Sequence, residues 1–176
     1  MVLWGGSIFT APLGSTIPTS VYSDLAAAFE NLGYISDAGV VNSNTRTSNT
    51  VRAWGGDPVL DTQTEKTDTF TFTMLESSKL GAKKVAFGDD NVTETGTGSS
   101  AEIKAEINSV ELTEHIYVIE TVLRSGKAHR LVIPRGKVTA LGDVTYVDGA
   151  AVGYQVTLTA YPDDDGNTHY EYTQTA

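Results

Sequence analysis

Three histidines, His115, His129 and His169, stand apart in the chain, with no His-x-His or His-Glu-x-x-His spacing among them. A metal site needs converging ligands, and isolated histidines in a β-rich chain are far more often surface or strand-edge residues. The run Asp163-Asp164-Asp165-Gly166-Asn167 has the look of a calcium loop. Aligning Gly166 with the loop glycine, however, puts Tyr161 at the first ligand position and Tyr172 at the last, where carboxylates are required. A hairpin turn explains the run more simply. Glu102, Glu106, Glu111, Glu114 and Glu120 supply carboxylates, and a glycosidase needs only two, at about 5–9 Å separation. An acidic surface offers such pairs by chance, so a solvated face is the better reading. No Gly-x-x-x-x-Gly-Lys-Ser/Thr or Gly-x-Ser-x-Gly occurs, and Gly96-Thr97-Gly98 lacks the strand, helix and later acid of a dinucleotide fingerprint. Asn91-Val92-Thr93 matches a glycosylation acceptor but has no secretory signal to go with it. Cysteine is absent, which excludes thiol catalysis, Cys-ligated zinc, iron–sulfur clusters and disulfides. The expectation is a protein without catalysis, cofactor or metal.

A chain of 176 residues fits one compact domain, or one domain with long appendages. That size buries roughly 70% of the unfolded surface, so no metal or disulfide is needed as a staple. Twelve Lys and Arg stand against 22 Asp and Glu, a net charge of −10. Such a surface repels phosphate backbones and argues against a sequence-reading nucleic-acid binder. The charge is uneven: residues 1–88 carry 8 acids and 6 bases, residues 89–176 carry 14 and 6. The second half therefore sets the field of the molecule. No apolar run approaches the roughly 18 residues of a membrane span, and the N-terminal residues lack the basic start and apolar core of a signal peptide. The expectation is a protein made and kept in the cytosol, or built into something assembled there.

The elements follow from patterning. Residues 1–21 are broken by Gly5, Gly6, Pro12, Gly14 and Pro18 yet carry Val2, Leu3, Trp4, Ile8, Phe9, Leu13 and Ile17. This reads as an extended arm packed on its own domain or on a neighbour. Leu25, Phe29 and Leu32 at i, i+4 and i+7 behind Ser23 or Asp24 predict a short helix over 22–32. Residues 42–64 are rich in Asn, Ser and Thr around Trp54-Gly55-Gly56. A segment that long is either a functional loop anchored by its tryptophan or a hairpin folding back on its own body. In 67–75, Phe70, Phe72 and Met74 alternate with Thr69, Thr71 and Thr73, a half-exposed antiparallel strand. Residues 76–87 have the spacing of about three helical turns, weakened by Gly81, and 88–101 read as a loop. Strands follow at 116–123, 129–134, 137–147 (with a bulge at Gly142-Asp143), 152–161 and near 169–173, with a turn at Asp148-Gly149. In 152–161, Gln155, Thr157 and Thr159 form the polar face.

The order of segments resembles the major tail (tail tube) proteins of long-tailed, siphovirus-type bacteriophages. The resemblance rests on collinear short pieces: Phe9-Thr-Ala-Pro-Leu-Gly-Ser-Thr-Ile-Pro-Thr, Leu32-Gly-Tyr-Ile-Ser-Asp-Ala-Gly-Val, Trp54-Gly55-Gly56, Phe70-Thr-Phe-Thr-Met-Leu-Glu76, Ala86-Phe87-Gly88, Leu131-Val-Ile-Pro-Arg-Gly136 and Leu158-Thr-Ala-Tyr-Pro-Asp163. It implies a mainly β fold, sandwich- or barrel-like, with a short flanking α-helix, a long inter-strand loop and an extended N-terminal arm. It also implies a structural virion protein of the phage tail, assembled in the bacterial host cytoplasm. Six copies would form a ring, and stacked rings a hollow conduit for ejection of double-stranded DNA, which passes without specific binding. Other partners would be tape measure, terminator and distal tail proteins, with no membrane. Carried onto this chain, 1–21 is the arm, 22–176 the single tail tube domain and 42–64 the inter-ring loop. Trp4, Phe9, Pro12, Arg52, Trp54, Gly55 and Gly56 are then expected at assembly contacts. A conduit must let DNA slide, so its wall should offer no cationic grip. Thr69, Thr71, Thr73, Gln155, Thr157 and Thr159 fit such a lumen, and fit an ordinary solvent-facing sheet as well.

Two other readings share the composition. A capsid decoration or tail-terminator protein would stop at a closed oligomer. A carbohydrate-binding β-sandwich would line a groove with exposed aromatics, for which Tyr154, Tyr161, Tyr170 and Tyr172 are the available residues.

Overall fold

In the computed structural model, which describes residues 6–149 and 151–175, half of the chain is strand and 8% is helix. Trp4, expected at an assembly contact, lies outside the described residues. The strands run in chain order β1 (Ser7–Pro12), β2 (Glu30–Asn31), β3 (Ile35–Arg52), β4 (Pro58–Met74), β5 (Val92–Thr95), β6 (Glu102–Ala105), β7 (His115–Val122), β8 (Ala128–Leu141), β9 (Tyr154–Ala160) and β10 (Tyr170–Thr173). One helix, α1 (Leu80–Phe87), flanks them. The main sheet has the order β2-β1-β7-β8-β9-β4-β3, with β10 also on β8, and all pairings are antiparallel. It does not close on itself, and the fold is mainly β and sandwich-like.

The strand β8 divides the sheet into two halves. Its first part, from Ala128, pairs with β7 on one edge and β10 on the other, while Gly136–Leu141 pairs with β9. The change of partner falls at a bulge, where Pro134 and Arg135 stand opposite the single residue Ile116. Proline has no N–H to donate, so a bulge is where a strand tolerates it. Gly136 follows because a Cβ there would lie 2.8 Å from Tyr117 Cδ2 and 3.0 Å from Leu158 Cδ1. The two halves face each other across a core of Ile8, Leu32, Phe70, Phe72, Met74, Tyr117, Ile119, Ile133, Tyr154, Val156 and Leu158. Ala82, Val85 and Ala86 of α1 cover one end of it, and Phe87 meets Tyr154 edge to face at 5.4 Å.

Several local expectations are corrected. Residues 22–32 are not a helix: only a turn forms, with Phe29 N–H donating to Ala26 O, and Glu30–Asn31 joins β1 as a strand. Tertiary contacts hold the segment at both of its ends. Ser20 O and Ser23 O accept from the Arg130 guanidinium, and Glu30–Asn31 is drawn into the sheet beside β1. Leu32 is buried instead by an extended backbone whose N–H donates to Ile8 O. Ser7–Pro12, read from the sequence as part of an arm packed on its own domain or on a neighbour, is a sheet strand with Ile8 and Ala11 buried, so these residues pack on their own domain. Residues 129–134 and 137–147 are not two strands; one strand runs through to Leu141. The bulge expected at Gly142-Asp143 sits at Thr139, which the β8–β9 register skips. Residues 88–101, expected as a loop, contain β5, which pairs with β6 just beyond them as a separate two-stranded sheet with Val92 buried.

Candidate assembly surfaces

The six threonine and glutamine positions singled out from the sequence come together on one surface. Thr69 stands opposite Thr159, Thr71 opposite Thr157 and Thr73 opposite Gln155 across the β4–β9 pair. Hydroxyls tie the surface laterally: Thr71 Oγ1 lies 3.2 Å from Thr157 Oγ1, and Thr139 Oγ1 lies 2.8 Å from Thr159 Oγ1. Cross-strand threonine pairs of this kind stabilise a sheet modestly while leaving its face polar and uncharged. Lys137 stands opposite Thr159 at the margin, and its ammonium is bonded to the Glu111 carboxylate. That bond holds Glu111 below the usual carboxylate range and Lys137 above the usual lysine range. The face therefore carries no unpaired cation at that edge.

The 42–64 segment is neither an irregular loop nor a hairpin lying on its own body. It is the outer part of a ribbon in which β3 and β4 pair from Val40–Phe72 out to Arg52–Pro58. Every residue from Val41 to Lys66 is exposed. At the turn, Ala53 N–H donates to Asp57 O at 2.8 Å and Gly56 N–H to Ala53 O at 3.0 Å. Gly55 and Gly56 have φ of +109° and +97°, a backbone that side-chain-bearing residues rarely adopt. The Arg52 guanidinium donates to Gly56 O at 2.8 Å and closes the turn. Trp54 at its tip is fully exposed, at 105% of its reference surface. The structure thus gathers Arg52, Trp54, Gly55 and Gly56, and places Phe9 and Pro12 apart from them on β1.

Two buried polar groups that the sequence reading missed hold these surfaces in place. Asp68, 1% exposed, sits where the ribbon leaves the body. Its carboxylate accepts from Asn42 Nδ2 at 2.7 Å, Thr168 Oγ1 at 2.6 Å and His169 Nδ1 at 2.6 Å. Burial disfavours its charge, but these three partners outweigh that and leave it below the ordinary aspartate value. The signal was in the alternation: Asp68 shares the parity of Phe70, Phe72 and Met74, so it had to face inward. Arg130, 6% exposed, pairs with Glu120 across the β7–β8 ladder, Nε to Oε1 at 3.0 Å. Its Nη1 donates to the carbonyls of Ser20 and Ser23, which straps that segment to the sheet.

The remaining chemistry resolves into structure. Asp163 caps its own turn, accepting from the N–H groups of Asp165 and Asn167 and from Tyr170 Oη at 2.6 Å. These bonds, that from Tyr170 above all, hold its carboxyl below the usual range. Among the described residues no group of three or more His, Asp or Glu is placed to hold a metal ion. Tyr154 is buried, and Tyr170 stacks on Tyr172 with ring centroids 6.5 Å apart. Of the four tyrosines a sugar groove would use, one is therefore inside the core.

The phage tail tube protein family model matches residues 4–175, and the chain belongs to that family. It is a family of phage tail structural proteins, not of enzymes. Among solved structures, the tube-terminating cap of the anti-feeding prophage is 10% identical with a TM-score of 0.47, over 96% of this chain and 88% of that one. The tube and sheath complex of the PVC extracellular contractile injection system, in its extended state, is 8% identical with a TM-score of 0.45, over 100% and 92%. The sheath/tube terminator of the same system is 10% identical with a TM-score of 0.40, over 99% and 96%. No curated protein matches the sequence.

Proposed function

We propose that this protein assembles as hexameric rings stacked into a hollow tail tube, through which double-stranded DNA leaves the virion. The β4–β9 face would line the bore, and the β3–β4 ribbon would reach an adjacent ring. One observation carries the reading: a contiguous sheet face of threonine hydroxyls and one glutamine, whose marginal lysine is neutralised by Glu111, on a family member with net charge −10. Such a wall offers DNA hydrogen-bonding polarity without counterion-releasing grip, so affinity stays low and the duplex slides. The ribbon supports the same reading from the stability side. Two strands exposed on both faces are marginal in water and gain stability when a neighbour covers them. The outer edge of β3, unpaired among the described residues, would supply backbone groups for pairing with another copy. Tape measure, terminator and distal tail proteins would meet the tube inside and at its ends, and assembly would take place in the host cytoplasm.

Negative-stain microscopy of concentrated purified protein tests this. Filaments with a central channel are expected. Discrete closed rings would move the assignment to a terminator or decoration protein, and a lasting monomer would remove it.

A further inference from the structure

Where β4 leaves the body, β9 stops accompanying it: the last pair is Thr69 with Thr159, and Asp68 is the first residue beyond. A strand end without a neighbour on that side would ordinarily meet water, yet Asp68 is buried. Its cover comes from the far end of the chain. Thr168 and His169 bond to Oδ2, and the His169 ring stands edge-on to Phe70 with centroids 5.2 Å apart. Oδ1 is taken by Asn42 of β3, whose amide also donates to Thr69 O at 3.1 Å. From the ribbon side, Lys66 Nζ reaches Thr168 Oγ1 at 3.4 Å. One carboxylate thus holds both strands of the ribbon and the residues that lead into β10.

β10 is held by polar ties. Among the described residues its four members pair with β8 alone, and none of them is buried. By contrast β1, β7 and β8, in the same half of the sheet, all send side chains into the core. The other ties on β10 are His129 to Thr173 and Glu171, Tyr170 Oη to Asp163 and Gln174 N–H to Ala128 O. A strand with so little apolar burial belongs to the low end of local stability. The ribbon is stiff by comparison, with a ladder running from Val40 to Arg52, about 40 Å at strand rise. Its root has a natural pivot, where the register with β4 jumps from Ile35 to Val40 and Gly39 takes a φ of +70°.

We propose that the β3–β4 ribbon and β10 form one conformational unit latched to the body through Asp68, so that displacing either releases the other while the core stays closed. The inference goes beyond the tube reading and holds whatever the ribbon meets. A swing about Gly39 draws Asp68 from under Thr168 and His169. The carboxylate then gains water in their place, so the open form strands no buried charge. β10 loses the anchor at its N-terminal end and, having no side chain in the core, leaves β8 without opening a cavity. Coupling between two such elements is reciprocal by thermodynamic necessity.

Hydrogen exchange of the monomer, read by mass spectrometry, tests this from both sides. Thr168→Val keeps the shape and loses the hydroxyl; it should speed exchange in 42–46, on the ribbon, about fivefold or more. Asn42→Ala should speed exchange in 170–173 by a matching factor, and 8–11 and 116–119 should stay as in the wild type in both variants. Acceleration confined to the altered element would make the ribbon and β10 independent and overturn the proposal. Equal acceleration in 8–11 and 116–119 would make Asp68 a support of the whole fold, with the same effect. The wild type gives a reading that needs no substitution. In rising, sub-denaturing urea, 42–46 and 170–173 should open with one common urea dependence, before 8–11 and 116–119, and separate openings would overturn the latch.

Discussion

Asp68 Oδ2 and His169 Nδ1 lie 2.6 Å apart, although 101 residues separate them in the chain. This contact ties the root of the β3–β4 ribbon to the segment leading into β10, with Thr168 on the same oxygen and Asn42 on the other. It fixes the place from which the ribbon projects. Replacing Asp68 by Ala would remove the acceptor of three donors; Asn42 is exposed and turns to water, while Thr168 and His169 are half-buried, so the cost is about 1–3 kcal/mol in all. Chemical denaturation of the monomer should show a loss in that range.

The same carboxylate sets a pH dependence. Its value is lowered on folding by Thr168, Asn42 and His169 against the opposing effect of burial. A lowered acid contributes stability above its unfolded value, about 3.9, and loses it as pH falls through the folded value. Wild-type stability should therefore decline below about pH 4 more steeply than that of Asp68→Asn, whose side chain does not titrate. Parallel acid-unfolding curves would contradict this.

Arg130 and Glu120 form the other buried tie. Arg130→Ala leaves Glu120 desolvated and unpaired, and losses of about 3–5 kcal/mol are usual when one partner of a buried pair is removed. It also frees the Ser20 and Ser23 carbonyls. Limited proteolysis should cut the 13–29 segment faster in the variant than in the wild type at equal stability, adjusted with denaturant.

Trp54 contributes nothing to the fold of the single subunit, being exposed on every side. Trp54→Ala should leave the monomer melting transition within about 0.5 kcal/mol of wild type while shortening or abolishing tubes. Tubes of normal length would count against its role.

Gln155 is the exposed member of the polar face. Gln155→Arg should fold and assemble, but its tubes should retain DNA at low salt and release it as salt rises. Wild-type tubes should retain none under the same conditions.

Periodicity made part of this molecule legible. Phe70, Phe72 and Met74 against Thr69, Thr71 and Thr73, and the matching run from Tyr154 to Ala160, gave two strands and their faces because each is buried on one side only. The ribbon beyond Val41 was illegible for the converse reason. With both faces exposed it has no alternation, only a threonine-rich composition that loops share. The helix expected over 22–32 gives way to tertiary contacts: Arg130, over a hundred residues away, holds the Ser20 and Ser23 carbonyls, and Glu30–Leu32 bonds to β1. Pro134 divided β8 in the sequence because a bulge that accommodates proline depends on the partner strand, Ile116, and not on local residues. Asp68 shows the remaining kind of miss. Its parity declared it buried, but its partners come from β3 and from the turn before β10, which no local pattern joins.

The most direct measurement is a cryo-EM reconstruction of tubes grown from purified protein. The account predicts six subunits per ring, with Thr69, Thr71, Thr73, Gln155, Thr157 and Thr159 facing a continuous channel. A reconstruction in which that face points outward, or in which another surface lines the bore, would contradict it.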